Sequence, residues 1–276
     1  MLTRTNREYA RELARGAAGA ILFAFPLMMT MEMWWMGFYL EPVRFLLFLL
    51  VSFALLFGLS YFSGFGEDEG WPDVILDALS GFALGAAISA FFLAVFGVIT
   101  LEMPLREIVG KVALVAVPSA IGAMLSRKQL QSSSGSGGDK AETEAKSSYP
   151  AELFLMFGGA VFVAFNVAPT DEVELISHMM TWWQVLMLAA VTLVIQHALV
   201  YSVEFAGQES WPEGRRFAFV FFGFTVAGYG VALLVSLYVT WTFGRLDGLA
   251  LHEVANMVIV LGFPAALGAA TARLVI

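Results

Sequence analysis

Along the chain, long apolar blocks alternate with short polar ones. Stretches free of Asp, Glu, Lys and Arg cover residues 16–31, 45–66, 78–101, 112–126, 153–170, 175–203, 217–244 and 254–272. A helix needs about 20 mostly apolar residues to cross a hydrocarbon core of roughly 30 Å. The pattern therefore predicts an all-α membrane protein with eight transmembrane helices. The 112–126 block is short for a span and reaches full length only if the helix extends back through Glu107 and Lys111. Residues 1–15 carry Glu8 and Glu12 among their arginines and read as an amphipathic segment leading into the first span, not as a cleaved leader.

Composition agrees with this pattern. Hydrophobic residues make up 59% of the chain and charged ones 14%, with a mean hydropathy of +0.78. A soluble domain averages about 25% charged residues. There is no cysteine, which removes disulfides, thiolate metal sites and thiol catalysis from consideration.

The halves of the chain resemble each other. At an offset of 140, Gly19-Ala20, Ala24-Phe25, Thr30 and Glu32 match Gly159-Ala160, Ala164-Phe165, Thr170 and Glu172. The same offset pairs Trp71-Pro72 with Trp211-Pro212. At an offset of 146, Leu105, Glu107, Pro118, Gly122 and Arg127 fall on Leu251, Glu253, Pro264, Gly268 and Arg273. Matched Trp-Pro, Glu, Pro and Arg in one order point to an internal duplication. Residues 16–127 and 149–276 are then two four-helix repeats. With an even number of spans each, they insert in parallel. Residues 128–148, rich in Ser, Gly and charge, read as a flexible linker.

If the N-terminus is cytoplasmic, eleven of the basic residues fall on the inner side and four (Arg44, Arg106, Lys111, Arg245) on the outer side. The positive-inside rule then places both termini in the cytoplasm of a multi-pass inner-membrane protein. The net charge of −8 comes from acidic loops, which carry little topological weight.

The candidate chemistry lies where the first helix of each half is interrupted. Pro26 precedes Thr30 and Glu32, and Asn166 and Pro169 precede Thr170 and Glu172. Proline removes a backbone donor, and helix breaks at matching places in two repeats point to a transport site. The carboxylates of Glu32 and Glu172 would suit a cation or proton pathway; an interfacial position beside Trp34, Trp35, Phe38 and Tyr39 is the competing reading. Glu107 and Glu253 open the last span of each half, where they add negative charge to an outer vestibule or stabilise a helix N-terminus. Pro118 and Pro264 are further candidate breaks, and His197, beside Gln196, is a candidate relay inside the sixth span.

Several alternatives are weaker. The methionines around Glu32 have no counterparts in the second half, which argues against a Cu(I) path. The string Thr225-Val226-Ala227-Gly228-Tyr229-Gly230 imitates a potassium-channel filter, but it sits inside a long apolar run and reads as a packing surface. No nucleophile–base set, zinc motif or nucleotide-binding loop is recognisable, so no enzyme activity and no cofactor are expected. The scattered basic residues leave no footprint for nucleic acid.

The two four-span halves, the MTMEMWW string at 29–35 and the paired Trp-Pro dipeptides resemble a bacterial family of integral membrane proteins of unknown function. The resemblance implies the architecture and carries no substrate or site residue. The expectation is a cation or proton-coupled transporter or channel with its site at the repeat interface, partnered by the bilayer and a small cation or proton. The alternative is a non-transporting scaffold or sensor that docks a partner through its cytoplasmic loops.

Overall fold

The computed structural model describes residues 6–62, 70–132, 149–202 and 221–275. Among them there are helices and turns and no strand. The chain forms two compact units, Met1–Lys146 and Ser147–Ile276. Residues 133–148 of the expected linker and Trp211-Pro212 lie outside the described residues.

The first unit contains α1 (Asn6–Met28), α2 (Met31–Tyr39), α3 (Pro42–Phe62), α4 (Trp71–Val95) and α5 (Leu105–Ser132). The second contains α6 (Tyr149–Val167), α7 (Asp171–Met179) and α8 (Trp182–Ser202). It continues through a π-helical segment (Phe221–Val226) into α9 (Ala227–Thr242) and ends in α10 (Leu251–Val275). Among the described residues seven helices are long and apolar enough to cross a membrane, or eight when the bent pair α1–α2 counts as one span.

The bend between α1 and α2 is 83°. Pro26 lies in the last turn of α1, and the Thr30 hydroxyl donates to its carbonyl at 2.7 Å. If α1 spans the bilayer, α2 therefore lies along its surface, with Trp35, Phe38 and Tyr39 exposed in the manner of an aromatic belt. α6 stops in a related way at Val167, whose carbonyl accepts from the Thr170 hydroxyl at 2.9 Å.

Some expected boundaries change. The 175–203 block is not one span: a break at residues 180–181 separates α7 from α8. Uncharged sequence ran past the break because Trp182 and Trp183 are apolar yet exposed at the start of α8. The linker's first residues, 128–132, extend α5. The helix breaks expected at Pro118 and Pro264 are absent, since α5 and α10 run through them. Beside Pro118, the Ser119 hydroxyl donates to the Val115 carbonyl at 3.0 Å and shares a hydrogen bond with Ser89 on α4.

One helix is central in each unit. α5 touches α1, α2, α3 and α4, while α10 touches α6, α7, α8 and α9. The span within α5 is 72% buried, against 33% for that of α3 and 28% for that of α4. Close approach at small residues makes this possible. A Cβ at Gly122 of α5 would lie 2.7 Å from the Gly19 carbonyl oxygen of α1. In the second unit, Gly268 of α10 and Gly159 of α6 meet backbone to backbone. Without strong hydrophobic drive in lipid, such contacts supply the packing energy.

Candidate functional site

At the end of each unit that carries the short helix, a cation is held against carbonyl and carboxylate oxygens. α4 and α9 both end in a left-handed glycine, Gly97 at φ 72° and Gly244 at φ 73°. In each cap the glycine N–H donates three residues back, and the following N–H, from Val98 or Arg245, donates five residues back. The Arg245 side chain is thereby directed at the start of α7. Its Nη2 lies 2.8 Å from Asp171 Oδ1 and donates to the Pro169 carbonyl, and its Nη1 lies 3.2 Å from Glu174 Oε2.

The first unit uses a different residue. Lys111, on the second turn of α5, has only 6% of its side chain exposed. Its Nζ lies 2.6 Å from Glu107 Oε1, donates to the Val98 carbonyl at 3.3 Å, and sits 6.0 Å from the Trp34 ring centre. Trp34 and Glu174 are equivalent positions at the 140 offset, as are Val98 and Arg245 when the two glycine caps are aligned. A lysine on the central helix and an arginine in the preceding loop thus serve similar ends.

Glu253 differs from Glu107 for a local reason. Its carboxylate accepts from the Ala250 N–H at 2.7 Å, the carboxylate half of a capping box at the N-terminus of α10. At the matching place before α5 stands Pro104, which has no N–H to offer. Glu107 is therefore left to pair with Lys111.

A second polar arrangement lies inside the spans of the second unit. His197 Nδ1 of α8 and Thr225 Oγ1 of the π-helical segment share a hydrogen bond of 2.8 Å, and the imidazole meets the Phe221 ring edge-on at 5.3 Å. Gln196 is wholly buried. A Cβ at Gly228, one turn beyond Thr225, would lie 2.6 Å from Gln196 Nε2 and would also strike Met156 of α6. The absence of a side chain at 228 is what admits the amide. π-helical turns recur at functional sites in helical proteins because their widened backbone re-aims side chains. The filter-like string is helical throughout, so its carbonyls are committed to the helix and line no filter.

The sequence profile of the family described as "Putative integral membrane protein (DUF2391)" matches residues 12–276. The chain belongs to this family. The match covers both units and the segment joining them, and it makes this DUF2391 protein an integral membrane protein whose environment is the lipid bilayer. No curated protein and no solved structure matches the chain.

In this DUF2391 protein the residues singled out from sequence fall into three places. Glu32 and Glu172 stand in the first turns of α2 and α7, with Glu172 exposed and Glu32 partly buried. Thr30 and Thr170 cap the breaks through their hydroxyls. Glu107 and Glu253 serve the first turns of α5 and α10, and His197 belongs to the buried seam with Thr225. Pro26 and Pro169 flank breaks, whereas Pro118 and Pro264 do not. Among the described residues no group of three or more His, Asp and Glu is placed to hold a metal ion.

Sequence reasoning missed the pairing of Arg245 with Asp171 and Glu174. The signal was present: Phe96-Gly97 and Phe243-Gly244 match at an offset of 147, one beyond the register used for the last helices. It also missed Thr225 as the partner of His197. Only the turn of α8 against the π-helical segment brings residues 28 apart into contact.

Proposed function

We propose that this DUF2391 protein is a tandem duplication of one four-span unit, that both its termini are cytoplasmic, and that its second unit conducts protons or small cations across the inner membrane. Three parallels support duplication: the same order of helices, the paired glycine crossings of α1 with α5 and α6 with α10, and the matched glycine caps. The observation that carries the transport reading is the His197–Thr225 hydrogen bond beside a fully buried Gln196. Ionisable groups within membrane spans are costly and mark ion or proton pathways. On this reading Glu172 and its neighbouring carboxylates Asp171 and Glu174 concentrate cations at the outer mouth of the second unit. The protein carries out no catalysis.

Flux from reconstituted liposomes is the test. Wild type should dissipate an imposed pH or cation gradient, and His197→Phe, which installs the residue found at Phe57 in the first half, should abolish that flux. Flux indifferent to the change would overturn the reading.

A scaffold role has one observation in its favour. Trp71, exposed at the start of α4, stacks on exposed Tyr61 at 5.5 Å, on the side assigned to the cytoplasm. Recovery of a stoichiometric partner that is lost on Trp71→Ala, together with no flux, would establish that role instead.

A further inference from the structure

Gln196 is an anomaly in energetic terms. It is 0% exposed on a membrane-spanning helix, and among the described residues neither its amide nitrogen nor its amide oxygen has a hydrogen-bond partner. An unpaired amide is among the most costly groups to place in an apolar medium. An open donor and an open acceptor on one amide match the hydrogen-bonding capacity of a single water, and buried waters commonly satisfy groups of this kind.

The chemistry of the neighbours narrows what such a water does. The groups gathered between α8 and the start of α9 are an amide, an imidazole and a hydroxyl: Gln196, His197 and Thr225. None of them is a carboxylate. A dehydrated metal cation is held by several oxygen ligands, usually with negative charge among them. Neutral imidazole and hydroxyl groups pass protons without needing to bind an ion.

Building on the transport reading, we propose that Gln196 holds an ordered water within the His197–Thr225 seam and that the species conducted is the proton. His197 accepts a proton at one ring nitrogen and releases one from the other. The ring returns to neutrality in the opposite tautomer and resets by reorientation or by exchange with water. Water passes on one proton for each it accepts. Gln196 gains and loses none; it is a positioning residue that orients the water.

The full chain is reconstituted in liposomes with an internal pH dye, and proton, sodium and potassium fluxes are measured in H2O and D2O. Thermal unfolding is followed in detergent. Wild type should pass protons with a clear solvent isotope effect and exclude sodium and potassium. Gln196→Leu, which installs the residue at Leu56, should cut proton flux by about tenfold or more, the equivalent of one lost hydrogen bond, without raising Tm. If Gln196→Leu raises Tm and leaves flux intact, the amide is simply unsatisfied and the water relay is overturned. If His197→Phe abolishes proton flux while Gln196→Leu does not, the seam stands and only the water falls. Sodium or potassium flux that His197→Phe blocks preserves the seam and overturns the proton assignment. Absence of any flux from wild type overturns both.

Discussion

Arg245 Nη2 lies 2.8 Å from Asp171 Oδ1, so the loop ending α9 is tied to the first turn of α7 across 74 residues of sequence. The Arg245 side chain is 16% exposed, against 75% for Asp171 and 47% for Glu174. Arg245→Val removes a mostly buried cation from partners that can still reach water, and should cost about 1–2 kcal/mol. Adding Met257→Lys, at the position of Lys111, should recover part of this through Glu253 one turn earlier. Recovery is partial because Glu253 must leave its cap on Ala250. Thermal unfolding of the single and double variants in detergent measures both effects.

Lys111 and Glu107 should respond unequally to substitution. Glu107→Ala strands a nearly buried ammonium and should cost about 3–5 kcal/mol. Lys111→Met leaves Glu107, 20% exposed, able to reach solvent, and should cost about 1–2 kcal/mol. Unfolding of the two variants by denaturing detergent provides the comparison. Equal losses would show that the pair is not the buried cation's main support.

Gly122→Ala and Gly268→Ala should each destabilise the protein by about 1–3 kcal/mol, because the added methyl meets backbone at the helix crossings. Gly230→Ala has open space around it and should be neutral, or stabilise by up to about 1 kcal/mol through helix propensity. Thermal melts of the three variants, run side by side, decide the matter.

The natural absence of cysteine makes topology directly measurable. Glu102→Cys, in the exposed turn between α4 and α5, should react with an impermeant maleimide added to intact cells. Asp73→Cys, exposed at the start of α4, should react only after the membrane is opened. The reverse pattern would invert the proposed orientation.

Several features were legible in the linear chain because they depend on local composition. Spans are set by runs of apolar residues, and the extension of α5 through Glu107 and Lys111 followed from length alone. The break after Pro26 was visible because proline cannot donate, although its 83° angle was not. The offset matches of Gly19 with Gly159 and Gly122 with Gly268 were visible as letters. That Gly122 meets the backbone of Gly19, and Gly268 that of Gly159, was not.

Sequence by itself determined that this is a membrane protein, that its apolar segments are helical, and which residues are out of place in lipid. Burying some 20 apolar residues at a time is a property each segment carries alone. Tertiary structure decided which distant polar groups meet: Arg245 with Asp171 and Glu174, Lys111 with the Val98 carbonyl, His197 with Thr225. Hydrogen bonds and ion pairs are short-ranged and directional. Most of their partners are chosen by how helices pack, over separations that no periodicity in the sequence records.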